Sequence, residues 1–132
     1  MVTATDDALA RAVEWQSPLV LAAPCCHHDI AAQLRDGPAP APYSLLTRDG
    51  ILRERFADTL TDAVRALLLR LAGYRVDVVE FVDSRHTPRN TLLRAVRTGR
   101  PADDRAQREY DDLVGAWRIR PRLAALLGTR DA

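Results

Sequence analysis

Both cysteines and two of the three histidines of this 132-residue chain stand together as Cys25-Cys26-His27-His28, directly after the apolar run "PLVLAAP". Thiol and imidazole side chains at such density invite three chemistries. A structural metal ion needs four ligands converging tetrahedrally, ordinarily from Cys-x(2–4)-Cys spacings. Four consecutive residues on an extended strand end alternate in direction, so about two of them reach one ion. His86 adds a third only if folding brings its loop close, so no metal site is assigned. The second reading is packing: Cys25 and Cys26 as small buried thiols, with His27 and His28 capping the helix that follows. The third is catalytic, because an imidazole with a pKa near 6.5 is suited to accept a proton from a hydroxyl or a ring nitrogen. On the residues alone the packing reading is the stronger of the three. Asp29 and Gln33 follow one turn apart on the next predicted helix and can face the same site. Asn90, after "HTPR", either anchors a loop or touches substrate.

Positioning such a motif falls to the elements around it. "TATDDALARAVEW" predicts a helix, with Thr3 or Thr5 as cap and Asp6 and Asp7 at the positive end of its dipole. "PLVLAAP" lacks alternation and predicts a strand over 18–23, buried on both faces inside a sheet. "RDGPAPAPYS" predicts a proline-rich surface loop. The longest element runs from Asp49 to Gly73, with Leu52, Phe56, Leu60, Val64, Leu67 and Leu71 at three- and four-residue steps. Strands are predicted over 76–82 and 91–98, joined by a loop, and two helices close the chain, broken where Pro121 lacks a donor. Trp15, Tyr110 and Trp117 are expected in the core or between helices. The strand at 18–23 and the strand at 76–82 are linked through a helix and should run parallel. Three strands leave an apolar edge that soluble proteins avoid, so the chain reads as the back half of a larger sheet.

Bulk properties narrow the class. The chain is 47% hydrophobic and 28% charged, as expected of one folded domain over 1–132. All basic residues are arginine and the net charge is +1. Residues 1–84 carry 8 Arg against 12 acids, and residues 85–132 carry 11 Arg against 6. The C-terminal third, with Arg118, Arg120 and Arg122, permits contact with a polyanion without requiring it. Adjacent cysteines do not build a disulfide framework, so free thiols in a reducing cytoplasm are expected. No apolar run approaches the roughly 18 residues of a membrane span, and "MVTATDDALA" lacks the pattern of a signal peptide.

With these segments in view, the chain resembles the C-terminal half of a class I, Rossmann-like S-adenosylmethionine-dependent methyltransferase, of the bacterial group with a "PCCHH" motif after a central strand. The segments that carry the resemblance are "TATDDALA", "LAAPCCHHDIAAQL", "LLTRDGILRERFADTLTDAVRALLLRLAGYRVDVVEFV" and "HTPRNTLLRAVRTG", covering most of residues 3–99. Residues 100–132 form a helical extension. The resemblance implies an α/β fold, a partial Rossmann-like domain with flanking helices. Its three-stranded sheet holds a parallel pair with the last strand antiparallel between them, in the order 18–23, 91–98, 76–82.

It also implies methyl transfer from S-adenosylmethionine to a nucleophile, with RNA as a candidate substrate. His28 is then the first candidate proton acceptor and His27 the second. Cys25, Cys26, Asp29, Gln33 and Asn90 fall on the substrate side, and Thr3, Thr5 and Pro24 on the cofactor side. A glycine-rich turn and an acidic residue for the ribose should come from the family's first half. Here the six glycines are all at least thirteen residues apart, and Met1-Val2 stand where the family carries Cys-Asp. Weak or no cofactor binding by this chain alone is therefore expected. The alternative is a non-catalytic, partner-binding module. The bare edge predicts self-association, pairing with a front-half chain, or marginal stability.

Overall fold

A computed structural model describes residues 4–24, 29–80, 91–100 and 102–128. Among these the chain is mixed α/β, with six helices and one three-stranded sheet. Helix α1 (Ala4–Glu14) leads into strand β1 (Leu19–Ala22), and α2 (Asp29–Asp36) follows the Cys-Cys-His-His segment. The proline-rich loop ends in a single turn, α3 (Leu45–Arg48), and the long α4 (Gly50–Leu71) comes next. Strands β2 (Tyr74–Glu80) and β3 (Thr91–Arg97) precede α5 (Asp104–Trp117) and α6 (Arg122–Leu126).

The sheet order is β1-β3-β2, as expected, and both pairings are antiparallel. β1 and β2 therefore run in the same direction without touching. Val20 faces Ala95, and Ala95 faces Val76 on its other side; Leu93 lies between Ala22 and Val78. Side chains of this set turn to one face, where Val20, Tyr74, Val76, Leu93 and Ala95 are buried. Helices α1 and α4 contact β1 and β2, while α2, α3 and α5 pack on α4.

Burial on both faces of β1 does not occur. Val20 is buried, but its neighbours Leu19 and Leu21 are 53% and 58% exposed. The lack of alternation in "PLVLAAP" thus does not report two covered faces: the described residues leave Leu19 and Leu21 largely uncovered. Trp15, expected in a packed position, is 69% exposed beyond the end of α1. Trp117 does pack, with its ring centroid 4.8 Å from Phe56 and 6.2 Å from Tyr43.

Helix α4 departs from its expected stripe at one end. Leu52 is exposed, whereas Ala57, Leu60, Val64, Leu68 and Leu69 are buried, and with them the charged Arg65. Ile51 beside Leu52 is exposed as well, so the stripe is buried only from Ala57 onward. Asp49 holds the N-cap position with no side-chain cap bond. Gly73 ends the helix region at φ 98°, a conformation other side chains rarely adopt. Its carbonyl accepts from the Thr98 amide (2.9 Å) and the Thr98 hydroxyl (3.0 Å), tying the start of β2 to the end of β3.

The C-terminal stretch is part of the same body. Asp103 caps α5 through its side chain, which accepts from the Ala106 amide at 2.9 Å. Trp117, Ile119 and Leu123 enter the core, and α6 lies against α1. No helix of the described residues is long and apolar enough to cross a membrane.

Candidate functional site

The Cys25–His28 segment joins the carboxyl end of β1 to the start of α2. Cys25, Cys26, His27 and His28 themselves, and Thr3, His86 and Asn90, lie outside the described residues. The strand ends around them are informative. Ala22 is paired with Leu93 near the start of β3, and Thr91 with Glu80 at the end of β2. The segment holding Cys25–His28 and the connection holding His86 and Asn90 thus leave from the same end of the sheet. Ligands of open α/β sheets bind off the carboxyl ends of strands.

Beside the motif, the first turn of α2 opens on a small cleft lined by Asp6, Asp29, Thr61, Arg65, Pro121 and Arg122, among others. Its interior has room for about one water molecule. The polar groups of its floor are engaged. Arg65 donates from Nε to Asp6 Oδ1 at 2.7 Å, and its Nη1 lies 3.5 Å from Asp62 Oδ1. Asp6 and Arg65 are each 2% exposed. A buried guanidinium must be neutralised to be tolerated at all, and the "TATDD" segment supplies the carboxylate. Thr5, next to Asp6, is buried as well. Pro24 is half-buried at the end of the described part of the strand.

Gln33 does something its sequence position does not announce. Its Nε2 donates to the Arg120 carbonyl at 3.1 Å, and its Oε1 accepts from the Arg120 amide at 2.6 Å. The same Nε2 lies 3.3 Å from Asp29 Oδ2. Both ends of the amide are therefore spent on holding the α5–α6 connection against α2. Gln33, expected on the substrate side, also works as a clamp beside the motif. The signal is absent from the chain because the partner is 87 residues away and contributes only backbone.

Tyr74 is buried at the start of β2. Burial pushes its phenol above the ordinary 10.0, with the Arg97 guanidinium pulling the other way. Its hydroxyl donates to the Ser17 carbonyl at 2.8 Å, bridging β2 to the entry of β1. It lies at the opposite end of β2 from the connection to β3, and so serves the fold. Arg118, Arg120 and Arg122 are exposed.

The described residues do not form a nucleotide cradle. Among the described glycines, those with positive φ are Gly73, Gly99 and Gly128. Gly73 follows α4 and Gly128 follows α6, while Gly99 is a lone glycine in the connection from β3 to α5, not the clustered glycines of a nucleotide-binding turn. Nor do the described residues contain a group of three or more His, Cys, Asp or Glu placed to hold a metal ion. Comparison with known proteins returns no match: no family model, curated protein or solved structure is significantly similar to the chain. The class that fold and site define is a mixed α/β domain with a three-stranded antiparallel sheet and a Cys-Cys-His-His segment at one strand end.

Proposed function

We propose that the chain is the substrate-side half of a Rossmann-like S-adenosylmethionine-dependent methyltransferase, with RNA as a candidate substrate. The observation that carries this reading is the sheet order. A last strand runs antiparallel between two strands of common direction, and the "PCCHH" segment stands at the carboxyl end of the edge strand β1. Methyl transfer from a sulfonium is an in-line displacement, so the protein's share is chiefly to align the nucleophile and accept its proton. In this reading His28, or His27 beside it, takes the proton, and Cys25 and Cys26 shape the wall. Asp29 and Asn90 approach the substrate from the flanking elements.

In this reading the cofactor is held by another half of the site. A second reading, a partner-binding module without catalysis, is favoured by the lack of a cradle among the described residues. Calorimetry with S-adenosylmethionine on the 132-residue chain should give no affinity at the micromolar level; tight binding would overturn the division of labour. Supplied with a cofactor-binding half in trans, the chain should transfer labelled methyl groups to RNA. His28→Ala should then lower turnover by about 100-fold with folding intact. Unchanged turnover in the folded variant would leave the motif a packing role, and no transfer at all would favour the partner-binding reading.

A further inference from the structure

From the end of α5 into α6 the chain alternates strictly. Trp117, Ile119, Pro121 and Leu123 are buried, and Arg118, Arg120 and Arg122 between them are exposed. The alternation has a cause in the backbone. Arg118 caps α5 in the left-handed region (φ 52°), which stops the helical rotation after Trp117. Pro121 is extended (φ −63°, ψ 136°), and the Ile119 amide closes back on the Val114 carbonyl at 3.1 Å. Gln33 grips the amide and the carbonyl of Arg120 at 2.6 and 3.1 Å. Four buried anchors and a clamp thus fix the backbone and send three guanidinium groups away from the core.

The chain does not neutralise them. Among the described residues, none of these three side chains makes an ion pair or a hydrogen bond. Arg11, Arg94 and Arg105, by contrast, stand 3.5, 3.1 and 3.9 Å from Glu14, Asp77 and Glu109. From Leu113 to Thr129 the sequence holds no Asp or Glu. Residues 113–128 expose no large apolar side chain either, whereas surfaces that dock on membranes add apolar groups to their cations. With no exposed ring for a base to stack on, the row offers charge alone.

The row also has a direction. Arg120 is joined to Gln33 in the second turn of α2, and Arg122 lines the small cleft with Asp29 and Ile30 in the first turn. Passing from Arg120 to Arg122 therefore leads toward the start of α2.

We propose that Arg118, Arg120 and Arg122 bind the phosphodiester backbone of a single nucleic-acid strand, one phosphate to each guanidinium. Three cations in a row answer a row of anions, which such a strand offers and an isolated phosphate does not. The planar fork of arginine matches phosphate oxygens, and contacts to the backbone carry no sequence preference. This binding does not rest on the methyltransferase reading. It needs no methyl donor, so measuring it without one separates its failure from the failure of that reading.

Fluorescence anisotropy of a labelled oligouridylate with the 132-residue chain tests the proposal. Three phosphate contacts give a slope of about −2 in log K against log salt, so affinity should fall about 20-fold between about 50 and 200 mM salt. Arg118→Gln/Arg120→Gln/Arg122→Gln should weaken binding at the lower salt by about 10-fold or more and flatten the slope, with circular dichroism unchanged. Arg122→Gln alone should lower the slope by about 0.7. Arg11→Gln/Arg94→Gln/Arg105→Gln removes the same charge from paired positions and should bind as wild type does. Oligothymidylate distinguishes the sources: parity assigns the shared backbone, and preference for the uridylate assigns RNA. Three results overturn the proposal: no binding at the lower salt, a loss in the folded row variant no greater than in the control, or recruitment to equimolar phosphatidylserine–phosphatidylcholine vesicles in place of the oligonucleotides.

Discussion

Removing the carboxylate of Asp6 should cost far more than its place near the start of the chain suggests. Asp6 and Arg65 are each 2% exposed and meet at 2.7 Å, across 59 residues of sequence. In Asp6→Ala the guanidinium stays buried. Asp62 remains beside it, at 3.5 Å and with its side chain 24% exposed. Breaking a buried pair by deleting one partner costs about 3–5 kcal/mol, and the remaining carboxylate places the loss near the lower figure. Against a total stability of about 5–15 kcal/mol, this is a large fraction, and it should lower Tm by about 10–15 °C for a chain of this length.

Urea denaturation followed by circular dichroism measures the loss directly. The double variant Asp6→Leu/Arg65→Met removes the charge together with its partner and should lie within about 1 kcal/mol of wild type. An Asp6→Ala loss under about 1 kcal/mol, the range of exposed ion pairs, would refute the reasoning. It would free Asp6 for a role in the cofactor-side segment that "TATDD" resembles.

Gln33→Ala should cost about 1–2 kcal/mol, since two hydrogen bonds to Arg120 disappear together. Hydrogen exchange should quicken around residues 118–123 more than elsewhere, and uniform quickening would argue against a clamp. Stability should also fall at alkaline pH through Tyr74. Its folded pKa is raised above 10.0 by burial, so above that pH the unfolded chain releases the proton while the folded chain retains it. The contribution is complete below pH 10.0 and declines as pH rises toward the folded value. Tyr74→Phe should start less stable by about 1 kcal/mol, from loss of the bond to Ser17. It should then show a shallower alkaline decline in denaturant titrations, and an equal slope would show that another group is responsible.

Local pattern decides much of this molecule. Periodic apolar residues in 50–71 make a helix, acidic residues suit its neighbours' N-termini, and Pro121 separates α5 from α6 for want of a donor. The order β1-β3-β2 was legible too, through the resemblance. Short-range chemistry also places Cys25–His28 at a strand end, because the apolar run and the helix signal on either side of it are contiguous in sequence. What only the tertiary structure decided are the contacts whose partners lie far apart. "PLVLAAP" looks the same whether one face is covered or two, because burial depends on what else is present to cover it. Arg65 reads as a solvated helix charge until Asp6 is brought to it, and Gln33 as a site residue until the Arg120 backbone arrives.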